Sequence, residues 1–149
     1  MNFLINFCVI SYLLVITAAI EKPSFEDSKE YTAPLTKWKV TVTNQLSRGQ
    51  TLLVHCKSKD DDLGDQTLQV GQSFSWKFKV NILSTTLFWC NLRTSSNKHV
   101  SMEVFWPEKH DWLGYRCAYT TCNWDARDNG IYLENLIKNV DEFVRTWEN

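Results

Sequence analysis

The sequence predicts an all-β fold, a small antiparallel β-sandwich with two intramolecular disulfides. Three observations carry that expectation. Short runs of alternating apolar and polar residues recur along the chain, separated by turn residues at regular spacing. Aromatic residues, which favour strands, are abundant, with seven Trp, five Tyr and eight Phe in 149 residues. Four of the five cysteines, Cys56, Cys90, Cys117 and Cys122, follow an apolar leader that would deliver them to an oxidising compartment, where thiols pair.

Residues 1–20 carry no charged side chain, and residues 3–16 form an almost unbroken apolar run. The run ends in Thr17-Ala18-Ala19, small residues of the kind a signal peptidase reads, so residues 1–19 are expected to be a signal peptide. The apolar stretch is short for a membrane span. The chain is therefore expected to be secreted and extracellular, with no direct membrane insertion after leader cleavage. Cys8 would leave with the leader. Removing 19 residues from 149 leaves 130, enough for one domain with one core. Residues 20–35 are polar and acidic (Glu21, Glu26, Asp27, Glu30) with two prolines, and read as an extended or disordered arm. The domain proper is expected at 36–149. Net charge is −1. No basic stripe points to nucleic acid, and no Lys/Arg cluster points to a lipid surface. The sequence contains no Asn-x-Ser/Thr sequon.

Period-two patterning begins at Trp38. Trp38, Val40 and Val42 form an inner face, with Lys37, Lys39, Thr41 and Thr43 outward. Residues 44–50, with Arg48-Gly49, form a turn. Leu52, Val54 and Cys56 line a second strand, and His55 and Lys57 point outward. Residues 58–64 read as a charged loop, after which Leu68 and Val70 lead to a turn at Gly71. The clearest strand follows, with Phe74, Trp76, Phe78 and Val80 alternating with Ser73, Ser75, Lys77 and Lys79. Thr86, Phe88, Cys90 and Leu92 share the next face, with Trp89 opposite. Val100, Met102, Val104 and Trp106 give a fifth strand, and residues 107–114 a loop. Residues 116–124 are strand-like. Cys117 and Cys122 are five apart and fall on opposite faces of a regular strand, so a bulge or tight turn is expected between them. Asn129-Gly130 is the strongest hairpin signal in the chain. Leu133, Leu136, Ile137, Val140, Val144 and Trp147 fall at helical spacing, which slightly favours an amphipathic helix. A closing strand over 143–147, reached by a turn near Lys138-Asn139, is the other reading.

Several ordered segments are more specific. They are Val40-Thr41-Val42-Thr43-Asn44-Gln45-Leu46; Leu53-Val54-His55-Cys56-Lys57-Ser58, running through Asp60, Asp61 and Asp62 to Leu63-Gly64; and Phe74-Ser75-Trp76-Lys77-Phe78. Thr85-Thr86-Leu87-Phe88-Trp89-Cys90, Cys122-Asn123-Trp124 and Asn129-Gly130-Ile131-Tyr132 complete the series. This series resembles the plant self-incompatibility protein family, the S-protein homologues, over nearly the whole chain after the leader. The resemblance implies a small secreted β-sandwich with two intramolecular disulfides, closed by a strand ending at Trp147. It also implies a non-enzymatic extracellular ligand in plant cell–cell recognition, with a cell-surface membrane protein as receptor. The family's pistil proteins bind a receptor on pollen and trigger rejection of self pollen. Asn129 stands where many members have Asp, and the loop over 106–115 carries little family signature.

Four cysteines allow three pairings. A nested arrangement, Cys56–Cys122 and Cys90–Cys117, is expected from strands taken to face each other across the sandwich, each link worth roughly 3 to 4.5 kcal/mol. A zinc site would need paired Cys-x-x-Cys knuckles, and Cys117 and Cys122 have the wrong spacing. The run Asp60-Asp61-Asp62-Leu63-Gly64-Asp65 fails as an EF-hand loop, with Asp65 at position six and Gly71 at position twelve. His55, His99 and His110 lack the paired motifs of secreted ribonucleases, and no Gly-x-Ser-x-Gly or His-Glu-x-x-His occurs. No catalytic residue, metal or cofactor is expected. Trp38, Trp76 and Trp106 fall on inner faces; Trp89 and Trp112 do not, which keeps open a wall-associated carbohydrate-binding module. Recognition is assigned to loops on the rigid frame. The candidate contacts are Lys59, Asp60, Asp61 and Asp62; Asp111 and Trp112; and Arg127, Asp128 and Asn129. The expected protein is a monomer that binds no nucleic acid.

Overall fold

The alternation in the sequence becomes nine strands and one short helix in a computed structural model, which describes residues 36–149 apart from Arg48 and residues 108–110. The expected signal peptide and arm lie outside the described residues. The elements are β1 (Lys37–Asn44), β2 (Leu52–Lys57), β3 (Asp62–Leu68), β4 (Ser73–Lys79), β5 (Phe88–Thr94) and β6 (His99–Phe105). Then come α1 (Trp112–Arg116), β7 (Thr121–Arg127), β8 (Gly130–Asn135) and β9 (Val140–Arg145). They form a five-stranded sheet, β4-β1-β7-β8-β9, packed on a four-stranded sheet, β3-β2-β5-β6. The predicted all-β sandwich is thus the observed fold. Pairing is antiparallel except for β1 with β7, which run parallel. That exception follows from connectivity: the chain visits the other sheet between them, long enough to return in the same direction.

The core is the apolar face that alternation predicts. Trp38, Val40, Val42, Leu52, Val54, Cys56, Leu92 and Val100 are buried. Aromatic rings join the sheets: Phe105 packs on Trp38 at 4.9 Å and on Phe78 at 4.7 Å, and Phe88 on Phe78 at 4.5 Å. Tilted and edge contacts of this kind add to the burial of ring area.

Strand directions divide the connections between two ends. At the upper end, where β1 finishes, lie residues 45–47, 49–51, 69–72, 95–98 and 128–129. At the lower end lie residues 58–61, 80–87, 106–107, 111–120 and 136–139. Both upper crossovers between the sheets meet at Asn44, which is 0% exposed. Its side-chain amide donates to the carbonyls of Gln50 and Leu68, each at 2.9 Å, and its oxygen accepts from the Leu46 N–H at 3.0 Å. Its backbone N–H donates to Gln72, and its carbonyl accepts from Gly71.

The structure departs from the sequence reading at five places. The charged loop ends at Asp61, because residues from Asp62 onward pair with β2 through a bulge in which Gly64 takes a φ of 72°. At the end of β6, two residues oppose Phe88, so Val104 and Phe105 both face the core and Trp106 is displaced to the rim. Residues 112–116 are helical rather than loop or strand. At the C-terminus the helical reading fails and the closing-strand reading holds, as β9 ending at Arg145: Ile137 and Val140 are 51% and 48% exposed, and a turn with Asn139 at φ 54° resets the phase that mimicked a helix. Trp147, just beyond β9, is buried and donates its indole N–H to the Arg127 carbonyl at 2.7 Å.

The fifth departure concerns the disulfides, which join Cys56 to Cys90 and Cys117 to Cys122. The expected nested pairing is overturned by strand adjacency. Cys56 and Cys90 are direct cross-strand partners on β2 and β5, with Cα atoms 4.0 Å apart, while Cys122 lies in the other sheet. Cys117 reaches Cys122 through the tight turn that their spacing requires, with Ala118 and Tyr119 both left-handed at φ 46° and 57°.

Two predictions follow from these constraints. Asn44→Ala would remove the amide donor from the buried Leu68 carbonyl and the part-buried Gln50 carbonyl, so chemical denaturation should show a loss of about 2 to 4 kcal/mol. Replacing both cysteines of a pair by serine should cost about 4 kcal/mol for Cys56 and Cys90 but about 2 kcal/mol for the short Cys117–Cys122 loop.

Candidate functional site

Two lower-end loops are built so that their side chains face solvent. In the β2–β3 loop, the Ser58 N–H donates to the Asp61 carbonyl at 2.8 Å, and Ser58 Oγ accepts from the N–H groups of Asp60 and Asp61. The backbone is satisfied within the loop, which leaves the side chains of Lys59, Asp60 and Asp61 exposed.

The β4–β5 crossover is organised by Asn81. Its N–H donates to Thr86 Oγ1 at 2.9 Å, its amide donates to Thr85 Oγ1 at 2.8 Å, and its side-chain oxygen accepts from the Thr85 N–H at 2.7 Å. Its carbonyl accepts from the N–H of Ser84, which takes a φ of 51°. This brace turns Ile82 and Leu83 outward, 73% and 79% exposed. The two loops enclose a cleft of about 550 Å³ whose lining includes Lys59, Asp60, Asp61, Phe78, Lys79 and Leu83. Adjacent apolar knobs beside charges of both signs have the anatomy of a protein-binding surface: an apolar centre and a polar rim.

The other candidate contacts are placed differently. Asp62 belongs to β3, where His55 stands between two carboxylates: Nε2 is 2.8 Å from Asp62 Oδ1, and Nδ1 is 2.9 Å from Asp65 Oδ1. Each ring nitrogen thus has a carboxylate oxygen within hydrogen-bond reach. The Gly64 N–H also donates to Asp62, and this bond, followed by the one to His55, holds the Asp62 carboxyl below its usual value. Asp111 accepts from the Tyr119 hydroxyl. Trp112 stacks on Trp106 at 5.9 Å, and the Arg116 guanidinium lies 4.2 Å from its ring centre. These two residues are at the lower end but are engaged within the chain.

Arg127, Asp128 and Asn129 lie at the upper end. Arg127 bonds Asp125, Asp141 and Gln45 and covers the Tyr132 ring. Asp128 accepts from the Ser47 N–H and Asn129 donates to the Tyr132 hydroxyl. Trp89 lies on the outer face of its sheet beneath Lys57 Nζ, 5.6 Å from the ring centre. The structure therefore gathers Lys59, Asp60 and Asp61 into one cleft and separates them from residues 127–129. Sequence reading missed Ile82 and Leu83. Their signal was present: two adjacent aliphatics between Asn81 and Ser84 break the alternation at a turn.

Comparison with known proteins locates the fold. Residues 39–147 match the family model described as plant self-incompatibility protein S1. The chain is 42% identical over 114 residues to S-protein homolog 1 of Arabidopsis thaliana, covering 76% of this chain and 74% of that protein. It is 48% identical over 109 residues to S-protein homolog 29 of the same plant, covering 72% and 76%. A solved structure of a self-incompatibility protein homologue, described as one of a widespread family of small, highly stable, secreted plant proteins, superposes with a TM-score of 0.59. It shares 22% identity and covers 77% of this chain and 97% of that one.

The Asp62 bonds predict an acid response. The carboxyl is held below its unfolded value of 3.8, so its contribution to stability is present above that pH and is lost as pH falls through the folded value. In denaturation curves from pH 6 downward, Asp62→Asn should abolish this part of the acid-side loss, leaving a shallower pH dependence than wild type.

Proposed function

Because the chain belongs to the plant self-incompatibility protein S1 family, we propose that it is a secreted, non-enzymatic ligand in plant cell–cell recognition. Its partner in this reading is a cell-surface membrane protein, bound by the monomer. The observation that carries the reading is the exposed pair Ile82 and Leu83, held out beside Lys59, Asp60 and Asp61 by the Asn81 brace. Two supports come from elsewhere in the chain. The apolar leader over 1–19 matches a secretory signal, and the disulfides suit an oxidising compartment. Among the described residues, no helix is long and apolar enough to cross a membrane. The finer proposal, a pistil ligand acting on self pollen, is tested by whether the transcript is confined to the pistil.

The binding surface has its own test. Burying an Ile or Leu side chain contributes roughly 1.5 to 3 kcal/mol. Ile82→Ser with Leu83→Ser should therefore weaken saturable binding to plant cell membranes by about a hundredfold or more, with an unchanged thermal midpoint because neither side chain packs in the core. Unaltered binding by this variant would overturn the assignment of the cleft.

A further inference from the structure

A second surface lies on the outer face of the five-stranded sheet and meets the cleft only at Lys79. β1 and β4 pair in register as Lys37 with Lys79, Lys39 with Lys77, Thr41 with Ser75, and Thr43 with Ser73. The result is a ladder of four rungs, two of paired lysines and two of Thr/Ser pairs, with the Thr41 hydroxyl buried. Thr43 Oγ1 and Ser73 Oγ are hydrogen-bonded at 2.9 Å. The neighbouring strand β7 sets Thr121 beside Lys39, Asn123 beside Thr41 and Asp125, which is paired with Arg127, beside Thr43, so the uncharged part of the flank is the part next to the lysine rungs. In sheet geometry the rails stand about 4.8 Å apart and the rungs about 6.8 Å apart, giving a track roughly 20 Å long.

The lysine rungs carry an energetic cost. Like charges directly opposite each other destabilise an antiparallel pair. The four ammonium groups stand within about 8 Å of their neighbours, one Debye length at physiological salt, so their fields add. Among the described residues, the recorded ion pairs engage His55, His99, Arg116, Arg127 and Arg145, and none engages these lysines. Lysine on an edge strand blocks edge-to-edge association, which accounts for Lys77 and Lys79 on β4. It does not account for Lys37 and Lys39, because β1 is paired on both sides.

We propose that this ladder is a docking surface for a linear acidic polysaccharide, whose ring carboxylates meet the lysine rungs and whose hydroxyls meet the exposed Ser73 and Ser75. The length of the track selects an extended polymer. Lysine ammonium groups are mobile point charges, suited to carboxylates at repeated but inexact spacing, whereas Arg would favour fixed bidentate pairing. The rungs offer no apolar side chain for a peptide's side chains to bury against. The backbone groups of β1 are already occupied by β4 and β7, which leaves the face to side-chain contacts.

The test measures binding of the protein to a linear polyuronate such as polygalacturonate, with neutral dextran, polyglutamate and phosphatidylserine vesicles as comparisons. Wild type should bind the polyuronate in a salt-reversible way and prefer it to all three comparisons. Changing Lys37, Lys39, Lys77 and Lys79 together to Gln should weaken this binding by about tenfold or more. Lys37→Gln with Lys39→Gln should weaken it on its own. A control that removes the charges of Lys57, Arg93, Lys98 and Lys138 should stay within about twofold. The four-lysine variant should melt no lower than wild type, because unfavourable pairs are removed. Absence of polyuronate binding, equal loss in the control, or equal affinity for polyglutamate or the vesicles would overturn the proposal. Changing Ile82 and Leu83 to Ser should leave polyuronate binding intact, so this surface and the receptor-binding cleft succeed or fail separately.

Discussion

The sandwich depends on the burial of one polar side chain. Asn44 ends β1 at the point where the chain must leave one sheet for the other, and the return crossover from β3 to β4 passes the same point. A backbone buried there would carry donors and acceptors with no access to water. Asn44 resolves this by bonding to both crossovers at once, through its amide and through its own peptide groups. The register of β1 against β4 and the placement of β2 in the second sheet both issue from that junction. Everything assembled on those strands inherits its position from it, including the aromatic contacts between the sheets and the lysine ladder.

The lower end is held differently. Its two crossovers are longer and are braced within themselves, one by Asn81 with Thr85 and Thr86, the other by α1 and the Cys117–Cys122 link. The α1 segment is also fastened to the β8–β9 hairpin through Arg116, which pairs with Glu142 at 2.6 Å and accepts the Leu136 N–H on its carbonyl. That hairpin is fixed in turn by buried Asn135, which bonds Glu142 and the Lys138 N–H. Rigidity at this end is therefore local, and it lowers the ordering cost of any partner that binds there.

What could be read from the sequence was what alternation controls. The inner faces of β1, β2, β4 and β5 were legible because each buries one face and exposes the other. β3 was not, since Asp62, Gly64, Asp65 and Gln66 at a sheet edge show no apolar period. α1 is one turn long with Gly114 inside it, too short for a helical signature. The C-terminal residues from Leu133 to Trp147 imitated a helix because a turn at 136–139 shifted the phase between two strands. Disulfide pairing and the lysine ladder were hidden for the same reason: both depend on which strands become neighbours. Lys37 and Lys79 lie far apart in sequence, so no local charge count reveals the cluster. In the candidate site, Lys59, Asp60 and Asp61 were legible as loop residues, while the outward pair Ile82 and Leu83 passed unnoticed in a segment that belongs to no strand.

The Asn81 brace has a further consequence. Among the described residues, the hydrogen bonds of the Asn81 brace begin and end within residues 81–86. The two side chains at the tip contribute nothing to the brace, so their identity is uncoupled from the loop's shape. On the proposed reading, a lineage or an engineer can rewrite those two positions and alter what the molecule recognises without renegotiating how it folds, and specificity can then drift faster than structure.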